Sequence, residues 1–106
     1  MIEANLTRAN LKDAILIDAN LSGATLTGAH LTNAQLSDAD LTGADLTDAQ
    51  LLGAVLTNAN LSGADLTNVD LSGANLTSAD LNSAPMRGAV LCNTTMPDGS
   101  VIYSGC

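Results

Sequence analysis

A leucine recurs at every fifth position of this sequence from Leu6 to Leu81, sixteen times without a miss. Met86, Leu91 and Met96 continue the same register. A period of five fits neither the 3.6-residue turn of an α-helix nor the two-residue alternation of a β-strand, so either element would scatter these leucines over all its faces. The chain must therefore change direction once in each repeat.

The other positions of the repeat describe that change of direction. Two residues before each leucine lies an alanine, in seventeen of the eighteen places from Ala4 to Ala89, with Val69 as the exception. Thr or Ser usually follows the leucine, and Gly, Asn or Asp comes next, which is the composition of β-turns. A type II turn needs a positive φ at its third residue, which Gly meets most easily. We expect type II turns at Gly23, Gly43, Gly63 and Gly73, and another turn type at Asp13, Asp48 and Ser78.

Four such turns close a square coil of twenty residues, so leucines twenty positions apart stack on one another. Successive coils would pair as short parallel strands about 4.8 Å apart, giving about four to five coils over residues 1–95. Residues 96–106 leave the pattern. Met96-Pro97-Asp98-Gly99 predicts a turn followed by a short strand over 100–103, so this segment is predicted to cap the last coil.

The repeat units closely resemble the pentapeptide repeat family, as in Ala-Asn-Leu-Ser-Gly at 19–23 and Ala-Asp-Leu-Thr-Gly at 39–43. The resemblance implies an all-β fold, a right-handed quadrilateral parallel β-helix with Leu and Ala inside. The tail Cys-Asn-Thr-Thr-Met-Pro-Asp-Gly-Ser at 92–100 is also similar to the ending of many cyanobacterial members. Membership of this family would predict the fold but would say little about the function.

The charge and hydropathy of the sequence argue against two classes of partner, nucleic acids and membranes. The chain carries 11 acidic and 3 basic residues, a formal net charge of −8, whereas a phosphate-binding surface needs clustered Lys and Arg, so we expect no direct nucleic-acid binding. No run of eighteen apolar residues predicts a membrane span. Because the pattern begins by Ala4, no signal peptide is recognised, and we expect a cytoplasmic protein, or a periplasmic or thylakoid-lumen protein if a leader was removed.

The reactive side chains form no recognisable reaction centre. No Ser, Cys or Lys accompanies a base in the manner of an activated nucleophile, and a convex rod with a filled core offers no pocket. The single histidine, His30, occupies an outward position where we expect it to be solvated. We therefore predict no enzymatic activity and no cofactor.

The acidic residues stack on outward positions, and we refer to five of them as the acidic face. Two lie on one side of the coil with a third at the adjoining corner, and two lie on the side that carries Asn20 and Asn60. They are Asp45, Asp65 and Asp48, and Asp40 and Asp80. Such pairs could hold a cation or supply a general acid. Since they alternate with amides and lack the convergent loop that calcium requires, we expect solvated carboxylates and no metal site.

Four apolar residues occupy outward positions that the repeat usually gives to polar residues. They are Ile15, Ile17, Leu52 and Val55. They could mark an interface, yet polar Gln35 and Ser37 separate the coils that carry them, and scattered exposed apolar residues are normal.

The N-terminal end is predicted to be open, because Met1-Ile2-Glu3 leads directly into the first repeat. An uncovered strand edge invites pairing with another chain, while the charges of Arg8, Lys12 and Glu3 favour solubility. Both outcomes stay open, a monomer or a weak end-to-end dimer.

The two cysteines are predicted to form a disulfide. Cys92 follows the last core leucine, and the turn at 96–99 should bring Cys106 back toward that coil. Closing a loop of about fifteen residues would contribute about 3 kcal/mol. Against the bond, no export signal is recognised, and a reducing cytoplasm keeps thiols free.

Two functions fit these observations. The first is a non-enzymatic scaffold that presents ladders of Asp, Asn and Thr to a protein partner whose identity the sequence does not reveal. The alternative is a DNA mimic that acts on DNA gyrase or another DNA-binding protein, because some members of the family inhibit DNA gyrase with an acidic rod shaped like a duplex. Those relatives are longer and dimerise through a C-terminal element, and neither feature is apparent in this sequence.

Overall fold

The computed structural model describes residues 3–106, which wind into a right-handed quadrilateral β-helix as the sequence predicts. Each side of a coil contributes one residue to a parallel β-ladder, always the residue before the leucine. This residue pairs with the residue twenty positions further on, as Asn5 does with Thr25 and Asp45 with Asp65. The Cα atoms span 32 × 26 × 22 Å. The period of twenty therefore sets which side chains share a side of the rod.

The backbone of each side is bonded to the next coil in a fixed pattern. The Leu46 N–H donates to the Asp65 carbonyl at 2.9 Å, and the Asp48 N–H donates to the Thr67 carbonyl at 3.0 Å. In the opposite direction, the Asp65 N–H donates to the Ala44 carbonyl at 2.9 Å. This leaves the N–H of the residue after each leucine without a partner in the ladder.

Leucine and alanine fill the interior. Every leucine in register from Leu21 to Leu76 is at most 1% exposed, and the alanines between them are equally buried up to Ala74. Both ends of the core are less well covered, since Leu6, Leu11 and Met86 are only partly buried. The expected exposure of the N-terminal ladder rests partly on Met1 and Ile2, which lie outside the described residues.

The turn prediction is correct for the glycines and wrong for Asp13, Asp48 and Ser78. These three residues have φ values of 60°, 61° and 61°, close to the 67° of Gly43. Their turns also close with the same bond, as from the Ala14 N–H to the Leu11 carbonyl at 3.0 Å. The ladder explains the uniformity from Glu3 to Ser78, because the N–H of the corner residue donates to the next coil at each of these corners. Asp tolerates the left-handed conformation, and Ser is held in it by the surrounding bonds.

A hairpin closes the C-terminal end. Strand β1 (Leu91–Thr95) pairs antiparallel with strand β2 (Val101–Ser104), and a turn joins them in which the Gly99 N–H donates to the Met96 carbonyl at 2.8 Å. The strand thus begins one residue later than predicted. Thr94 takes an alanine position, fully buried, and its hydroxyl donates to the Leu71 carbonyl at 2.7 Å.

Val69 is accommodated in the alanine column with a small local distortion. Its side chain is fully buried, and the bond from its N–H to the Leu66 carbonyl is 3.3 Å long, against 2.9 to 3.1 Å in the other turns of the coils. Overpacking of this kind typically costs about 1–3 kcal/mol. We therefore expect Val69→Ala to leave the melting temperature unchanged or to raise it. A clear fall in melting temperature would mean that the two methyl groups fill space that the coil offers.

Candidate functional site

The surface of the rod is organised by a side-chain bond that recurs along the ladder. Where Asn or Asp precedes the leucine, its Oδ1 accepts a hydrogen bond from the N–H of the residue after the leucine. Asp40 shows the arrangement, because its Oδ1 accepts from the Thr42 N–H at 3.0 Å and from the Thr42 hydroxyl at 2.6 Å. The bond satisfies the one N–H that the ladder leaves free, so each such Asn or Asp is fixed against the surface.

This bond explains why Asn or Asp so often precedes the leucine and why Ser or Thr so often follows it. The sequence alone did not lead us to predict this bond. The signal was present, because Asn or Asp repeatedly stands two residues before Ser or Thr, a spacing at which an Asx side chain caps the backbone. The Asx residues that make the bond in the ladder are Asn5, Asn10, Asn20, Asp40, Asp45, Asn60, Asp65, Asp70, Asn75 and Asp80.

The acidic face occupies two adjacent sides of the rod and the far corner of the second side. Asp40 and Asp80 lie on one side, separated by Asn60, and Asp45 and Asp65 are paired neighbours on the next side. Asp48 projects from the far corner of that second side.

Glycines form the corner between these two sides. Gly43 lies between Asp40 and Asp45, and Gly63 lies between Asn60 and Asp65. A Cβ added at Gly43 would have no other atom within 4 Å, and at Gly63 its nearest neighbour would be the Gly43 nitrogen at 3.9 Å. The third residue of each of these turns therefore carries no side chain, and a partner surface can approach its backbone between the two rows of polar groups.

Hydrogen bonds favour the charged form of two of these carboxyl groups. The Thr42 hydroxyl, and next its N–H, lower the pKa of Asp40 below its ordinary value. The Thr47 hydroxyl and N–H, helped by the Thr27 hydroxyl, likewise lower the pKa of Asp45 against a smaller opposing effect of burial. Both carboxylates are thus ionised and oriented at neutral pH.

The lowered pKa values predict a specific loss of stability in acid. Because the pKa values of Asp40 and Asp45 are lower in the folded than in the unfolded chain, their contribution is present above the ordinary value of 3.8 and is lost as the pH falls through the folded values. We expect the urea midpoint of the wild type to fall more between pH 5 and pH 2.5 than that of Asp40→Asn/Asp45→Asn, which keeps an acceptor at both positions. Equal falls in both proteins would contradict this account.

The four outward apolar residues do not form one patch. Ile15 is 72% exposed and Ile17 46% exposed, while Leu52 and Val55 are half-buried. Gln35 lies in the ladder between Ile15 and Val55, as the sequence predicts. Ile15 and Ile17 remain a small apolar area in the first coil.

Residues 3–106 contain neither a surface pocket nor a group of three or more His, Cys, Asp and Glu side chains placed to hold a metal ion. Within the same range, no helix is long and apolar enough to cross a membrane. His30 is exposed on the side of the rod that also carries Gln50.

The structure joins Cys92 and Cys106 by a disulfide, with their Cα atoms 5.0 Å apart. The bond links the beginning of β1 to the residues that follow β2. We expect native protein purified without reductant to take up no alkyl group before reduction and two afterwards, at the mass of a monomer. Two alkyl groups on the unreduced, unfolded chain would show that the cysteines are free.

Comparison with known proteins finds a family and several related structures. The sequence profile of the family described as "Pentapeptide repeats (8 copies)" matches residues 4–43, 34–73 and 54–93. Among proteins with curated descriptions, no significant match is found.

Two cyanobacterial crystal structures are similar over most of this chain. HetL from Nostoc sp. PCC 7120, a protein involved in heterocyst differentiation regulation, is 36% identical with a TM-score of 0.90 over 94% of this chain and 48% of its own. Rfr23 from Cyanothece 51142 is 41% identical with a TM-score of 0.81 over 94% of this chain and 64% of its own. This chain thus spans about half to under two thirds of those proteins. A third structure, alr5209 from Nostoc PCC 7120, is 31% identical with a TM-score of 0.55 over 100% of this chain and 92% of its own.

Proposed function

The chain belongs to the pentapeptide repeat family, and from that premise we propose that it is a non-enzymatic scaffold that binds a protein partner through its acidic face. The observation that carries the proposal is the glycine corner, where the oriented carboxylates of Asp40 and Asp45 lie on either side of Gly43. The buried leucines and alanines fill the interior, so any binding takes place on the outside of the rod.

The chemistry of this surface favours a cationic partner. Asp40 and Asp45 are held by hydrogen bonds before any partner arrives, so little side-chain entropy is lost on binding. The gap at Gly43 lets Lys or Arg side chains reach both rows from one position. HetL takes part in regulating heterocyst differentiation, and a scaffold that binds a regulatory protein would suit a comparable role for this chain.

The test compares two variants with the same change in charge. In the first, Asp40, Asp45, Asp65 and Asp80 are replaced together by Asn, which keeps the capping bonds while removing four of the five charges of the acidic face. In the control, Asp13, Asp38, Asp70 and Asp98 are replaced by Asn. We expect a partner captured by the wild type, then purified and titrated, to bind the control within about threefold and the first variant at least about tenfold more weakly. Equal affinity for both variants would remove the acidic face from the proposal.

DNA mimicry is a second candidate, supported by the formal net charge of −8. A gyrase supercoiling assay tests this alternative directly. Inhibition that disappears in the acidic-face variant would favour the mimic over the scaffold. No inhibition at tens of micromolar protein would remove it.

A further inference from the structure

The C-terminal hairpin is weakly held apart from its disulfide. Strand β2 is only four residues long, and it exposes 45% of Val101 and 70% of Tyr103. Ile102 is its one half-buried residue. A short antiparallel pair that buries so little is marginal in water, and segments with few buried contacts open most readily. The covalent bond from Cys92 to Cys106 is therefore the main restraint on β2.

Strand β1, in contrast, is integrated into the solenoid. The Gly73 N–H donates to the Cys92 carbonyl at 2.9 Å, and the Leu76 N–H donates to the Thr95 carbonyl at 2.8 Å. On its other edge β1 pairs with β2. Loss of β2 would leave β1 in place and convert its outer edge into an unpaired strand edge at the end of the rod.

The disulfide is accessible to a reductant from one side. Cys106 is exposed, whereas Cys92 is half-buried beside the coil. A thiolate of a dithiol reductant can attack the Cys106 sulfur, and the Cys92 sulfur leaves and takes up a proton. The second thiol of the reductant then displaces Cys106, so the reductant becomes a disulfide while two electrons and two protons pass to the cysteine pair.

We propose that this pair is a redox gate on the end of the solenoid. When the pair is oxidised, β2 stays on β1 and the end of the ladder is paired. When a dithiol reduces the pair, the segment 98–106 leaves the rod and the outer edge of β1 becomes available to solvent, while the coils below remain folded. Pro97 stays on the coil, because its carbonyl accepts from the Ser78 N–H at 2.9 Å. The gate is separate from the acidic face and does not depend on the proposed partner.

Tyr103 makes this gate easy to observe, because the chain has no Trp or Phe and Tyr103 is its only tyrosine. We expect the fluorescence anisotropy of Tyr103 to fall on reduction with dithiothreitol. Amide hydrogen exchange at residues 101–104 should accelerate about a hundredfold, in line with the loss of the loop constraint. The amides of Leu46 and Leu51, inside the central coils, should keep their protection.

The Cys92→Ser/Cys106→Ser variant serves as the control. It should show the open hairpin with or without dithiothreitol and should keep the far-ultraviolet circular dichroism of the coils. Unchanged protection at residues 101–104 after complete reduction would overturn the proposal. It would also be overturned by loss of protection throughout the coils, since reduction would then unfold the protein as a whole, and by free thiols in the protein as purified.

Discussion

Leu46→Ala is expected to lower the free energy of unfolding by about 3 kcal/mol, while Leu6→Ala in the same stacked column lowers it by about half as much. Leu46 is 1% exposed in the middle of the rod, and neighbouring coils pack on both sides of it. Leu6 lies in the first coil and is only partly buried, so its removal leaves a smaller cavity. Because both variants remove the same atoms, the difference between their free energies of unfolding measures the effect of the cavity.

Urea unfolding followed by far-ultraviolet circular dichroism measures both variants. In a solenoid each coil contacts only its neighbours, so the Leu46 variant should also unfold less cooperatively, with a lower slope against urea concentration. Equal destabilisation at the two positions would show that the first coil is packed as tightly as the centre.

Ala54→Leu is expected to destabilise the protein by about 3 kcal/mol, because the inward position beside each leucine has room for one methyl group. Ala54 has no exposed surface, and its side of the coil is bonded to the coils on both sides. Ala9→Leu is the matched control in the half-buried first coil, where the larger side chain can turn toward solvent. We expect the control to cost less than about 1 kcal/mol.

Thermal and urea unfolding of these two variants would measure the free-energy cost of the larger side chain at each position. A small effect at Ala54 would indicate that the coils widen easily, and the 3.3 Å bond at Val69 would then reflect tolerance and not strain.

The repeat allowed the interior of the fold to be predicted almost residue by residue. Leu and Ala mark the inward positions because a coil of fixed width admits one large and one small side chain on each side. The corners could not be predicted as well. Asp13 and Ser78 differ chemically from Gly43, yet all adopt the same positive φ because bonds between coils dictate the turn.

The features of the surface could be predicted from the sequence less completely than those of the interior. The stacking of Asp45 on Asp65 follows directly from the period of twenty, and so does the polar Gln35 between Ile15 and Val55. The capping role of the Asx residues does not follow from the period, because it depends on which backbone N–H the ladder leaves unpaired. Thr94 was missed for a related reason, since a buried hydroxyl is acceptable only where a carbonyl such as that of Leu71 is within reach.

The capping bond of the Asx residues makes carboxylate and amide equivalent as acceptors. Asn60 and Asp40 occupy successive rungs and bond the next serine or threonine in the same way, the N–H at 3.0 Å in both cases. The fold thus constrains the shape of this surface and the position of its oxygen atoms, but not its charge. Exchanges between Asn and Asp can therefore move a rod of this kind from acidic to neutral, one rung at a time, and so alter what it attracts while the backbone stays the same.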